Sequence, residues 1–135
     1  MKILIVYDSV FGNTEKVALA MAEAMTDQVA VKRVGESSAV DLQGIDLLVV
    51  GSPTRGFRPT EGVNLFLKSL PSAALTGKNA AAFDTRIPPE SIESKFFRKL
   101  VVMGGYADKK IGNLLKAKGA RVLDSAGFFV VDSEG

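Results

Sequence analysis

The 135-residue sequence contains no cysteine, no histidine and no tryptophan. Without cysteine there are no disulfides, no thiolate nucleophile and no Cys-ligated metal site. Without histidine the chain lacks the usual general base and the commonest transition-metal ligand, and no serine–histidine triad can be assembled from it. No segment approaches the roughly 20 apolar residues of a membrane span, and the N-terminus shows no signal-peptide pattern, so a cytoplasmic protein is expected. What is present is ordinary for a globular protein: 47% hydrophobic and 24% charged residues, in a length that suits a single domain over residues 1–135 with a real core.

Charge is scarce in net terms, at +2, too little to argue for a nucleic-acid partner. It is unevenly spread. Residues 1–54 carry four basic and seven acidic side chains, net −3, and residues 55–135 carry thirteen and eight, net +5. The basic residues gather at Arg55 and Arg58, at Arg86, and at Lys95, Arg98, Lys99, Lys109 and Lys110. They read either as a solvated surface or as a basic rim facing an anionic ligand or an acidic partner.

Apolar runs alternate with amphipathic stretches. Strands are predicted at about Lys2–Tyr7, Gln28–Val34, Asp46–Gly51 and Lys78–Asp84, with a last strand at Arg121–Leu123 and Gly127–Val131, interrupted near Asp124–Ala126. Helices are predicted at about Asn13–Thr26, Glu61–Leu70 and Ala107–Lys118, and one helical turn fits within the connector Gly35–Leu42. The first helix is expected to face inward with Val17, Ala20, Met21, Ala24 and Met25, and the second with Val63, Phe66, Leu67 and Leu70. Continuous apolar strands separated by helices indicate an α/β fold, a doubly wound five-stranded parallel sheet with right-handed crossovers. In such sheets ligands bind beyond the carboxyl ends of the strands, and the unusual loops of this sequence fall there.

The first loop, Tyr7-Asp8-Ser9-Val10-Phe11-Gly12-Asn13-Thr14, joins a buried strand to a helix start. A helix N-terminus presents unpaired N–H groups and a positive dipole end, which suits a phosphate. The loop holds no Lys or Arg, so neutral donors would hold that phosphate, and it matches neither G-x-G-x-x-G nor G-x-x-x-x-G-K-[ST]. A strand-to-helix turn capped by its own hydroxyls fits it equally. The second loop, Gly51–Thr60, is stiffened by Pro53 and Pro59 and freed at Gly56. Phe57 beside that glycine either tucks into the core or stacks on a flat ring. The third loop starts at Phe83-Asp84-Thr85-Arg86 and runs some twenty residues to about Tyr106. Ile92, Phe96, Phe97, Leu100 and Val101 suggest a short helix inside it, either an added core element or a lid.

Together, the segments Tyr7–Thr14, Gly51–Thr60 and Ala82–Arg86 resemble flavodoxins and flavodoxin-like FMN-binding domains. The resemblance spans nearly the whole chain. It rests on Ser9-x-x-Gly12-Asn13-Thr14 paired with Gly51-Ser52-Pro53-Thr54. It implies strand order 2-1-3-4-5 and FMN as cofactor. By position it implies that Ser9, Val10, Phe11, Gly12, Asn13 and Thr14 hold the FMN phosphate. Pro53, Thr54, Arg55, Gly56 and Phe57 would line one side of the isoalloxazine ring, and Asp84, Thr85 and Arg86 the other. The chain departs from the family in its pI of about 8.9, in having no Trp for the ring, and in ending four residues after Val131. The last helix of the fold is therefore expected to be absent, with either a shortened chain or another subunit covering that face.

The resemblance implies a non-catalytic electron carrier that docks to redox partner proteins, acidic ones given the basic half. An FMN-dependent NAD(P)H:quinone-type oxidoreductase is the alternative, with Arg58 or Arg86 as an anion contact. A receiver domain on the same fold is disfavoured, because Gly51-Ser52 stands where its acceptor Asp would be. Arg55, Arg58 and Arg86 in the ring loops are expected to raise the reduction potential above that of an acidic flavodoxin. The uncovered face and the apolar stretch Phe96–Met103 suggest a homodimer.

Overall fold

The computed structural model describes residues 1–10, 12–54, 59–86 and 107–129. Five strands, β1 (Lys2–Tyr7), β2 (Gln28–Arg33), β3 (Leu47–Pro53), β4 (Asn79–Arg86) and β5 (Arg121–Phe129), form one sheet in the order β2-β1-β3-β4-β5. Every pairing is parallel. Helices α1 (Asn13–Ala24), α2 (Glu61–Ser69) and α3 (Ala107–Ala117) cross between strands, and two 3₁₀ turns, Val34–Glu36 and Ala39–Leu42, follow β2. The expected doubly wound sheet is therefore the observed one. No helix among the described residues is long and apolar enough to cross a membrane.

Strand alternation divides the core in two. Leu4, Val6, Leu48, Val50, Ala80 and Ala82 point to the face covered by α2 and α3, where they meet Val63, Phe66, Leu67, Ile111 and Leu115. Ile3, Ile5, Tyr7, Val49 and Phe83 point to the α1 face and meet Ala18. Because both faces are covered, the central strands are apolar throughout rather than alternating. Phe83 lies so close to β3 that a Cβ on Gly51 would sit 2.0 Å from its Cζ. Only glycine allows that approach. The edge of Phe128 meets the Phe83 ring at 6.0 Å between centroids.

Several boundaries differ from the sequence reading. Helix α1 buries Thr14 and Ala18 fully, with Val17, Met21, Ala22 and Met25 partly buried, while Ala20 and Ala24 face solvent. The contact stripe is rotated because small Ala18 lets the helix approach the sheet, which a count of apolar residues does not weigh. Strand β4 runs on to Arg86, since Thr85 and Arg86 still pair with Phe128 and Phe129. Strand β5 is continuous: a one-residue register shift beside Ala80/Ala81 absorbs Leu123, and pairing resumes at Asp124. The helix expected around Ile92–Val101 and the stretch Phe96–Met103 lie outside the described residues.

Candidate functional site

Strands β1 and β3 are neighbours, yet the chain leaves them in opposite directions along the sheet, toward β2 and toward β4. Their carboxyl ends mark the switch point at which a doubly wound sheet of this kind has its ligand crevice. The Asp8 N–H donates to Gly51 O at 3.0 Å across the base of this crevice.

The first loop is folded on itself by polar contacts. Ser9 N–H donates to Asp8 Oδ1 at 2.9 Å, and Gly12 N–H donates to Ser9 Oγ at 3.0 Å. Gly12 is the N-cap of α1 at φ 99°, a left-handed conformation that favours glycine. It brings no side chain, so α1 starts without the side-chain cap that α2 has. There, Thr60 Oγ1 accepts from Val63 N–H at 3.4 Å. Val10 is half-exposed beside the turn. The Thr14 hydroxyl is buried and shares a 2.9 Å hydrogen bond with the Thr85 hydroxyl, which ties the first loop to the end of β4.

The second loop enters the site through Ser52, Pro53 and Thr54. Buried Ser52 accepts from Thr60 N–H at 2.9 Å and donates to Pro53 O. Thr54 N–H donates to Thr85 O at 3.0 Å, and Thr54 Oγ1 accepts from Ala107 N–H at 3.1 Å. One threonine thus joins the starts of the second and third loops to α3. Asp8 is held from the α2 side: Thr60 Oγ1 donates to its Oδ2 at 2.5 Å. A Cβ on Gly62 would stand 3.0 Å from the same oxygen.

At the third loop the structure assembles a buried ion cluster. Arg86 Nε and one terminal nitrogen donate to the two oxygens of Asp84 at 2.6 and 2.7 Å, a bidentate pairing. The terminal nitrogen also reaches Asp108 Oδ1 at 3.1 Å, and Asp108 N–H donates to Asp84 Oδ2 at 2.8 Å. Asp84 is fully buried, and Arg86 keeps 14% of its side chain exposed. Burial holds the Asp84 carboxyl above its ordinary pKa, and the Arg86 hydrogen bonds pull the other way. The guanidinium also lies against β5, where a Cβ on Gly127 would fall 2.0 Å from its Cζ. The Arg86 charge expected beside a ring is therefore matched by two carboxylates on the α3 face of the sheet.

A third group flanks the first loop on the α1 face. Tyr7 Oη donates to Glu15 Oε2 at 2.6 Å, Arg33 reaches the same oxygen at 3.2 Å, and the Arg33 guanidinium covers the Tyr7 ring at 5.3 Å. Burial and the Glu15 carboxylate hold the Tyr7 phenol above its ordinary pKa, so it remains a donor.

Of the residues expected at the site, the structure brings Ser9, Val10, Gly12, Asn13, Thr14, Pro53, Thr54, Asp84, Thr85 and Arg86 to one edge of the sheet. Phe11, Arg55, Gly56 and Phe57 lie outside the described residues. Asp8, Ser52 and Thr60, which stand in the same loops but outside the expected ligand contacts, belong to the same polar framework, as do Asp108 and Gly127, which the sequence reading does not single out. Thr60 carries a usable signal, a hydroxyl residue just before an apolar periodic run. Asp108 and Gly127 carry none, because their partner Arg86 is remote in sequence.

The sequence matches the flavodoxin domain family over residues 4–121. The chain belongs to the flavodoxin family. A flavodoxin from the domain Archaea superposes with a TM-score of 0.76 at 24% identity, over 96% of this chain and 84% of that one. Oxidised flavodoxin 2 from Bacillus cereus gives 0.68 at 25% identity, over 96% and 85%. The rubredoxin oxygen:oxidoreductase from Desulfovibrio gigas gives 0.74 at 20% identity, over 97% of this chain but 31% of that one. No curated protein sequence matches the chain.

Proposed function

We propose that this chain binds FMN in the crevice between the ends of β1 and β3 and carries electrons between redox partner proteins. The observation that carries this reading is the start of α1. A glycine N-cap leaves the helix end without a side-chain cap of its own. The neighbouring loop offers hydroxyl and backbone donors and no cation. That donor set fits a phosphate held by neutral groups and a helix dipole, and the family membership supports the flavin attached to it.

In this reading Ser9, Val10, Phe11, Gly12, Asn13 and Thr14 hold the phosphate. Pro53, Thr54, Arg55, Gly56 and Phe57 line one side of the ring, and Asp84, Thr85 and Arg86 the other. Thr14 acts through its backbone and through its bond to Thr85, since its hydroxyl is buried between the loops. Asp84 and Arg86 act through their backbone, because their side chains are bound to each other. When bound, the flavin supplies the electron-transfer chemistry. The protein orients it, excludes water and sets the surrounding charge. With Arg86 neutralised, a raised reduction potential rests on Arg55 and Arg58, and Arg→Gln at either is expected to lower it.

The visible absorption spectrum of the purified protein, with mass identification of the released flavin, tests the reading. A flavin spectrum with FMN released is expected. A colourless protein that takes up no FMN would falsify it. Steady-state NAD(P)H oxidation with a quinone separates a carrier, which turns over slowly, from an oxidoreductase. Electron transfer to acidic partners is expected to weaken with salt. Light scattering decides between a monomer and the homodimer.

A further inference from the structure

We propose that Arg33 is the positioning residue that lets the α1 turn accept a doubly charged phosphate, acting through Glu15. The inference rests on the FMN reading and identifies which charge outside the loop makes that reading work. Glu15 stands in the first turn of α1, within about 5 Å of rise from the N-cap. A carboxylate there stabilises the bare helix dipole, but it also repels any anion that binds at the same end. The loop itself contains no Lys or Arg to offset it.

The structure supplies the offset from β2. Arg33 and the Tyr7 hydroxyl both donate to the same Glu15 oxygen, Oε2, at 3.2 and 2.6 Å. The Tyr7 ring in turn supports the guanidinium from below at 5.3 Å. The planar guanidinium suits a stacked position on the ring, which lysine does not match. The carboxylate is thereby held toward β2 and its charge compensated, so the phosphate meets the helix dipole rather than an unpaired carboxylate. The pair retains 44% and 38% side-chain exposure for Arg33 and Glu15, so solvent and salt reach it and its effect is moderate.

Two ligands separate this electrostatic role from a structural one: FMN, which carries the phosphate, and riboflavin, which shares the ring and lacks it. Affinities for both are measured by flavin fluorescence quenching on apoprotein of the full chain. Arg33→Gln is expected to weaken FMN binding about fivefold and riboflavin binding less than about twofold. The FMN effect is expected to shrink to under about twofold near 0.5 M salt. Adding Glu15→Gln to Arg33→Gln is expected to restore FMN affinity, and Glu15→Gln alone to bind FMN at least as tightly as the wild type. Arg33→Lys is expected to fall between Arg33→Gln and the wild type. Equal weakening toward both flavins, no change toward FMN, or no rescue by Glu15→Gln overturns the role of Arg33 while leaving the flavin site standing. A wild-type protein that binds neither flavin overturns the site and this inference together.

Discussion

Two helices start from the same edge of the sheet, and they meet their unpaired N–H groups in opposite ways. At α3 the chain brings its own anion. The Asp84 carboxylate, fully buried, accepts from Asp108 N–H, and Arg86 sits against it between two strands and the helix. At α1 the chain brings a glycine N-cap with no side-chain cap, and a loop without a cation whose Asp8 carboxylate is held by Ser9 N–H and Thr60. Both helix ends carry the same positive dipole. At α3 the anion that meets the helix end is buried and bound to the helix N–H, whereas at α1 the first-turn carboxylate of Glu15 is held by Tyr7 and Arg33, and in the FMN reading the end takes a ligand. Among the described residues of the third loop, the one arginine, Arg86, is already bound to carboxylates.

The largest effect is expected from breaking the closed end. Arg86→Ala leaves two buried carboxylates without a counter-charge, and a loss of about 3–5 kcal/mol in unfolding free energy is expected from denaturant titration. The pH dependence carries a definite sign. Burial raises the Asp84 carboxyl above its ordinary pKa, and removing Arg86 raises it further. A carboxyl with a raised folded pKa contributes stability that is present below its unfolded pKa and lost as pH rises through the folded one. The deficit of the variant relative to wild type is therefore expected to be largest at neutral pH and to narrow toward about pH 5. A deficit that stays constant across that range would mean that packing, not charge, is what Arg86 supplies.

Gly127→Ala attacks the same end from β5. Its Cβ would stand 2.0 Å from Arg86 Cζ, so the guanidinium must move off Asp84 or the strand must shift. A loss of about 1–3 kcal/mol is expected. In the Arg86→Ala background the same substitution is expected to cost under about 0.5 kcal/mol, because the clash is gone. Additive losses would place the constraint elsewhere.

The same contrast marks what could be read from the sequence. The parallel sheet, the α2 face and the strand-to-helix turn of the first loop are legible because each rests on local pattern (apolar runs, helical spacing, a Gly-Asn-Thr at a helix start), while the strand order follows from the family resemblance. The rotation of α1 is not legible, because Ala18 is buried by its small size rather than by hydrophobicity. The break expected near Asp124–Ala126 is absent, because those residues pair with Ala81, Ala82 and Phe83; the irregularity is one residue earlier, at Leu123, where a period-2 pattern slips. The Arg86 cluster was invisible for a different reason. Asp84, Arg86, Asp108 and Gly127 come from three elements, and only the β4–β5 register and the start of α3 bring them together. Sequence alone shows an arginine in a ring loop, and the fold shows its charge already matched.

The open end is expected to respond differently. Gly12→Ala forces a side chain into a left-handed backbone at φ 99°, at a cost of about 1–2 kcal/mol. More informative is the ligand: in the FMN reading, FMN affinity is expected to fall by more than riboflavin affinity, because the strain moves the N–H groups that would face the phosphate. Gly127→Ala, at the closed end, is expected to change the FMN-to-riboflavin ratio by less than about twofold. If the two glycine variants shift that ratio alike, the distinction between an internal and an external anion fails.

The smallest effect concerns the tie between the two regions. Thr14 and Thr85 share one buried hydrogen bond of 2.9 Å, the direct side-chain link between the α1 turn and the end of β4. Thr14→Val or Thr85→Val leaves the other hydroxyl buried with a lost partner, and a loss of about 1 kcal/mol is expected for each. The double variant removes both polar groups with similar shape retained, so it is expected to cost less than the sum of the single losses. A double-mutant cycle by thermal denaturation checks this, and strictly additive losses would show that the bond contributes nothing. Run with FMN bound, the cycle also measures whether the closed end helps to hold the open one. A larger coupling in the presence of FMN means that the ligand draws the two loops together, and an unchanged coupling means that the turn is set before the ligand arrives.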